Sequence, residues 1–239
     1  AGGWEGRGVA VGGDGRAARE AGSRLGDRLV VESLVPFDAE LAVLVARNPA
    51  GEVAGYPPVV TRQHDAMCAE VLTPAPIPAA VRRAAVDLAE SLATEFGLVG
   101  VMAVDLFLVG EDLVINQLAT RPHNTAHHTI EAAETSQFEQ HLRAVLGWPL
   151  GATRSRARAA AMVNVVGAAD GSDPRRHLAG ALALPGAHVL LYGKAPRPGR
   201  KLGHVTALGA TAADARAVAH RAAALLGSPD PQARSGGAA

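Results

Sequence analysis

The stretch GVMAVDLFLVGEDLVINQLATRPHN, residues 100–124, decides the fold. Gly100–Val109 and Leu113–Leu118 are apolar runs broken by Gly110-Glu111-Asp112, the pattern of a β-hairpin. Asp105 and Gln117 lie near the centres of the two strands. Facing positions on paired strands are close enough to share one cation. Two hard oxygen donors on a rigid hairpin suit magnesium or manganese. Gln117 offers only a neutral amide oxygen, and Asp105 taken alone is equally the polar side of an edge strand.

Outward from the hairpin, the pattern predicts strands at Leu29–Glu32, Glu40–Arg47, Val53–Thr61 and Cys68–Thr73, with Pro57-Pro58 making the third an edge or a bend. Pro78 opens a helix whose apolar stripe is Val81, Ala85, Leu88 and Leu92, and Gly97 ends it. After the hairpin, 119–135 reads as an ordered loop with a short helix, and Ser136–Leu146 as a helix closed by Gly147. Strands at Ala157–Val166, Ala187–Tyr192 and Leu202–Leu208 precede a helix that Thr211 and Asp214 cap. Strands in groups with few helices between them predict an α+β fold rather than a doubly wound one. The expected division is a main body over 1–150, a C-terminal module over 157–227 and a disordered tail over 228–239.

Composition excludes several classes. The 239 residues are 48% hydrophobic and carry no formal net charge, which argues against a general binder of nucleic acid or anionic membranes. One cysteine rules out a disulfide framework and a cysteine zinc site, and fits the reducing cytoplasm. No apolar run approaches the roughly 18 residues of a membrane span. The sequence opens at Ala1 in mid-pattern, as a fragment or processed chain would.

Three segments carry candidate chemistry. Gly2-Gly3-Trp4-Glu5-Gly6-Arg7-Gly8 lies in a segment with seven glycines in fifteen residues, which lets backbone N–H groups approach an anion; a hairpin tip is the plain alternative. Arg121-Pro122-His123-Asn124-Thr125-Ala126-His127-His128 gathers a cation, imidazoles and an amide that can bind an oxyanion and move protons. It also invites a zinc reading, against which stands the adjacency of His127 and His128. Of 23 basic side chains only Lys194 and Lys201 are lysines, and both fall in one Pro/Gly-shaped window with Arg197 and Arg200. Ammonium and guanidinium groups are not interchangeable, and the window suits a phosphate monoester.

Together these segments resemble the 5-(carboxyamino)imidazole ribonucleotide synthetases, ATP-grasp enzymes of purine biosynthesis. The likeness lies in the glycine loop, in Ile115–His127 and in Lys194–His204, with Thr135–His141 and Ala161–Gly167 also similar. It implies a partial ATP-grasp fold and carboxylation of 5-aminoimidazole ribonucleotide by bicarbonate and ATP, through carboxyphosphate, in a cytoplasmic homodimer. By position, Gly2, Gly3, Gly6 and Gly8 would cover the ATP phosphates, while Glu32 and Glu40 would serve the adenosine side. Asp105 and Gln117 would hold the magnesium. Arg121, His123 and Asn124 would face bicarbonate or carboxyphosphate. Trp4, Glu5 and Arg7 would lie near the ribonucleotide, whose phosphate Lys194, Arg200 and Lys201 would hold. The family usually has Glu at both metal positions, Asp at Glu5 and Ser-Gly at Thr125-Ala126. The family's N-terminal domain and the phosphate-binding lysine ahead of the glycine loop are also missing from the sequence. A weakly active or inactive isolated chain is therefore the expectation. A decayed or truncated paralogue that only binds nucleotide, and a structural dimerisation partner, are the alternatives.

Overall fold

The computed structural model describes residues 15–25, 30–64 and 67–227. In chain order these form α1 (Gly15–Leu25), β1 (Ala39–Arg47), β2 (Val53–Gly55), β3 (Val59–His64), β4 (Met67–Thr73), α2 (Ala79–Glu95), β5 (Gly100–Val109) and β6 (Asp112–Ala119). There follow α3 (Thr129–Ala132), α4 (Gln137–Val145), β7 (Ala159–Val166), α5 (Leu178–Leu182), β8 (Ala187–Leu191), β9 (Lys201–Gly209) and α6 (Ala212–Leu225). The fold is α+β, as the grouping of strands predicts. One antiparallel sheet runs β6-β5-β1-β3-β4-β7-β9-β8, with β2 added to β1.

Helices cover one face of this sheet. On α2, Val81, Ala85, Ala89 and Ala93 recur every four residues and are buried against Leu41, Val43, Val45, Met102, Val104 and Leu106. Leu88 and Leu92 of the expected stripe flank this contact, half-buried. On α6, Ala215, Ala219, Ala222 and Ala223 meet Val163, Val165, Val205 and Ala207. Alanine at the contact lets each helix lie close to the strands. The opposite face carries the polar residues, and the segment after β6 folds back over it, where Ala126 and Ala133 pack on Leu44 and Ala103.

The last three strands join the first six without a break, because β4 pairs with β7 from Glu70↔Val163 to Thr73↔Ala160. Ser136 and Thr211 cap α4 and α6 by accepting from the N–H groups of Glu139 and Asp214.

One expectation needs correction. Leu29 lies outside the described residues, but the rest of the strand expected over Leu29–Glu32 is irregular, with Val30 and Val31 88% and 89% exposed. Both sides of β1 are already taken by β3 and β5, so this run finds no partner. Pro57-Pro58 makes the expected bend, which separates β2, paired with β1 alone, from β3, paired on both sides. Two helices carried no sequence signal: α1 (GRAAREAGSRL) lacks an apolar stripe, and α5 is barely a turn long. Among the described residues, no helix is long and apolar enough to cross a membrane. The glycine loop and the tail 228–239 lie outside them.

Candidate functional site

The register places Asp105 directly opposite Gln117 on β6 and Ala42 on β1. Glu40, two residues before Ala42, therefore shares the polar face with Asp105 and stands opposite Thr61. Gln117 Nε2 donates to Asp105 Oδ2 at 2.6 Å. Among the described residues, Asp105 Oδ1 and Glu40 Oε2 are buried atoms with no hydrogen-bond partner. Burial pushes both carboxyl groups above their ordinary range. Gln63 and Thr61 hold Glu40 back, and the Asp105 charge raises it further. Two carboxylates in this condition are what a cation would relieve. Asp105 thus fits a divalent ion, with Glu40 close by. Gln117 would contribute its oxygen only by turning its amide. Among the described residues, no three His, Cys, Asp or Glu side chains converge as a metal centre, so the histidine cluster is not one.

After β6, Arg121 is exposed, and His123 and Asn124 are half-buried at the start of a single helical turn, Asn124–Ala126. The His123 Nδ1 lies 2.9 Å from Thr125 Oγ1. Burial lowers the pKa of His123. Asp105 opposes that shift, while Arg121 and Lys201 deepen it. Burial thus favours the neutral ring, which feels Asp105, Arg121 and Lys201 at once. Cys68, on β4, adjoins Asn124. Burial raises its thiol to about 12, while Lys201 lowers it and Asp105 raises it.

The lysine turn is rigid for a reason visible in its backbone. Gly199 takes a φ of 72°, and its N–H donates to Gly167 O at 3.0 Å, while the Gly167 N–H donates to Arg200 O at 2.8 Å. A Cβ on Gly167 would collide with the carbonyl oxygen of Arg197. Arg200 turns its guanidinium back to Ala195 O at 3.3 Å. Lys194 is exposed, its ammonium 5.4 Å from the centre of the Tyr192 ring. Lys201 begins β9 and is the member of the turn whose charge acts on His123, His127 and Cys68.

The structure therefore brings Glu40, Asp105, Gln117, His123, Asn124 and Lys201 to one face. Arg121, Lys194 and Arg200 lie at its exposed margin, and Glu32 sits on the irregular segment ahead of β1. Gly2, Gly3, Trp4, Glu5, Gly6, Arg7 and Gly8 lie outside the described residues. Sequence reasoning named His127 only within the Arg121–His128 cluster and assigned no role to Gln63, Cys68, Gln137, Tyr192 or His204, all of which line this region or support it. A signal was present for Gln137: with Gln140 it puts polar side chains on the inner face of α4, both fully buried.

Residues 1–138 match the ATP-grasp domain model, and residues 160–218 match the phosphoribosylaminoimidazole carboxylase C-terminal domain model. The chain is 47% identical over 221 residues to the N5-carboxyaminoimidazole ribonucleotide synthase of Mycobacterium tuberculosis, covering 89% of this chain and 51% of that protein. Among solved structures, the N5-carboxyaminoimidazole ribonucleotide synthetase of Thermus thermophilus is 42% identical with a TM-score of 0.77, over 89% of this chain and 57% of that one. The Aspergillus clavatus N5-carboxyaminoimidazole synthase, solved with ADP and 5-aminoimidazole ribonucleotide, is 33% identical with a TM-score of 0.78, over 88% and 57%. The chain spans about half the length of the curated relatives it matches.

Proposed function

The chain belongs to the ATP-grasp family, and on that premise we propose that it carboxylates 5-aminoimidazole ribonucleotide with bicarbonate and ATP, in purine biosynthesis. One observation carries the reading: Asp105 faces Gln117 on the polar face that Glu40 shares, and Asp105 Oδ1 and Glu40 Oε2 are buried there without a hydrogen-bond partner among the described residues. A site that joins a triphosphate to a ribonucleotide needs a cation seat on one side and a phosphate-holding cation on the other, with proton-transfer chemistry between them.

Bicarbonate is a poor electrophile. Its oxygen attacks the γ-phosphorus, ADP departs, and the carboxyphosphate formed now carries a phosphate leaving group. The ribonucleotide amine then attacks the carboxyl carbon, phosphate leaves, and the amine gives up a proton. In this scheme Arg121 and Asn124 bind the oxyanion, and neutral His123 accepts the amine proton. Asp105, with Gln117 through its amide oxygen, would hold magnesium or manganese, which neutralises charge on the phosphates when bound. Glu40 serves the nucleotide ribose, with Glu32 on the adenosine side. Lys201, with Lys194 and Arg200, holds the ribonucleotide phosphate. Gly2, Gly3, Gly6 and Gly8 cover the ATP phosphates, and Trp4, Glu5 and Arg7 contact the ribonucleotide. Residues 1–150 thus serve the nucleotide and 157–227 the substrate phosphate, in a cytoplasmic homodimer.

Steady-state ADP release should require both bicarbonate and the ribonucleotide. Lys201→Ala should raise the KM for the ribonucleotide roughly 10-fold or more, the worth of a charged hydrogen bond, and leave the KM for ATP unchanged. ADP release indifferent to the ribonucleotide would overturn the reading, and nucleotide binding without turnover would favour a non-catalytic binder.

A further inference from the structure

Ser136–His141 is a segment whose side chains read main chain. Gln140 Nε2 donates to Gly151 O at 2.8 Å, and Gln140 Oε1 accepts from Gly151 N at 2.7 Å. His141 Nδ1 accepts from Val101 N at 3.3 Å. Gln137 does the same to the candidate catalytic loop: its Oε1 accepts from His123 N at 2.8 Å and its Nε2 donates to His123 O at 2.9 Å. Both peptide groups of His123 are thus held by one fully buried side chain. A backbone N–H can only donate and a carbonyl can only accept, so these two bonds fix which end of the amide is nitrogen.

That fixed orientation has a second consequence. The same Nε2 lies 2.7 Å from His127 Nδ1. An amide N–H cannot accept, so Nδ1 must carry the lone pair and Nε2 of His127 the proton. The His127 ring then stacks on His204, with centroids 5.1 Å apart, and meets Tyr192 edge-on at 6.0 Å. Tyr192 Oη lies 2.9 Å from His204 Nδ1, and its ring carries the Lys194 ammonium. His204 is 1% exposed and crosses to β7 opposite Asn164. A continuous run of contacts therefore leads from the backbone of His123 to the lysine turn.

We propose that Gln137 is a positioning residue: it sets the backbone of His123 and locks His127 as the Nε2–H tautomer, tying the oxyanion loop to the phosphate turn through the His127–His204–Tyr192 stack. The role in turnover rests on the proposed function; the tautomer lock does not. Burial and neighbouring imidazoles hold the His127 pKa down to about 3, so the lock concerns a neutral ring.

Imidazole nitrogen NMR on the intact chain tests the lock. In the wild type, His127 should show an unprotonated Nδ1 and a protonated Nε2. Gln137→Glu keeps the shape but removes the donor, so a proton must move onto Nδ1, and the Nδ1 signal should change to the protonated type. Gln140→Met is the control: it loses a matching pair of main-chain bonds and should leave the signals of His123, His127 and His204 in place. In turnover, Gln137→Glu should lower kcat for bicarbonate-dependent ADP release on the order of 100-fold with little change in the KM for ATP, the cost of a misplaced catalytic group. A wild-type His127 protonated on Nδ1 overturns the inference without need of any variant. So does a Gln137→Glu spectrum like the wild type. A changed spectrum with a kcat no lower than that of Gln140→Met overturns the positioning role. Absence of turnover in the full-length wild-type gene product refutes the functional reading instead, and the spectra then decide the lock alone.

Discussion

Glu70 and Asp105 are both buried carboxylates of the same sheet, one on each face, and they live in opposite circumstances. Glu70 is 2% exposed on the helix-covered face, ion-paired with Arg62 at 3.2 Å and Arg216 at 2.8 Å and bonded to His220. Burial alone would raise its pKa, but the bonds from His220 and Arg216 win and hold it below the ordinary range. Asp105 has only Gln117 as a hydrogen-bond donor, keeps one oxygen without a partner, and is raised. The first carboxylate is spent on joining β4 to α6. The second is left short of partners where a ligand cation would complete it. Burial by itself says nothing of role: Glu70 Oε1, like Asp105 Oδ1, lacks a hydrogen bond among the described residues, but Arg62 and Arg216 stand within ion-pair distance of Glu70, and these cations separate the two.

The largest effect expected from breaking this contrast is at Glu70. Glu70→Ala removes the buried carboxylate that Arg62, Arg216 and His220 share, so it should cost about 3–5 kcal/mol and lower Tm by roughly 10 °C, read by urea and thermal unfolding. A loss below about 1 kcal/mol would show that the cluster does not bind the helix to the sheet.

Next comes acid. His128 and His204 are buried, and burial lowers both from 6.5 to about 4. Between those values the unfolded chain binds protons that the native state refuses, so stability falls as pH falls. The slope is on the order of 2–3 kcal/mol per pH unit for the pair and fades below about pH 4, while His127, lowered to about 3, adds roughly half as much again and continues down to that pH. Glu70, with its lowered pKa, contributes stability that is lost only at more acid pH, below its ordinary 4.5. Urea unfolding followed from about pH 7 to about pH 2 separates the two phases.

The smallest effect has the opposite sign. Asp105 has a raised pKa, so its unfavourable charge is present at neutral pH and vanishes once pH falls below its ordinary 3.8. Without divalent cations, Asp105→Asn should therefore gain about 1 kcal/mol, or roughly 2–4 °C, at neutral pH and nothing in strong acid. Manganese should stabilise the wild type and not the variant. A variant less stable than the wild type at neutral pH would place Asp105 with Glu70, among the structural carboxylates.

Much of the fold was legible because it is written in local patterns. The hairpin at 100–118, the Pro78 and Gly97 ends of α2 and the Thr211 cap all follow from short-range chemistry. The hairpin was legible, but the turn's register, which pairs Val109 with Asp112 and Leu106 with Ile115, would set Asn116 against Asp105; a bulge beside Asp105 brings Gln117 opposite instead. What escaped depends on chain-distant contacts. Nothing local joins Glu70 to residues 216 and 220, or Gln137 to His123 and His127. Val30 and Val31 failed as strand residues because pairing depends on a free neighbour, which composition does not report.

The unbroken ladder from β6 to β8 makes the sheet a ruler. Five strand-to-strand steps of roughly 4.8 Å separate β5, with the cation seat, from β9, with Lys201. That span cannot lengthen or shorten unless backbone bonds such as those between β4 and β7 part. Any motion that admits or expels ligands must then be carried by segments that are not rungs of this ladder.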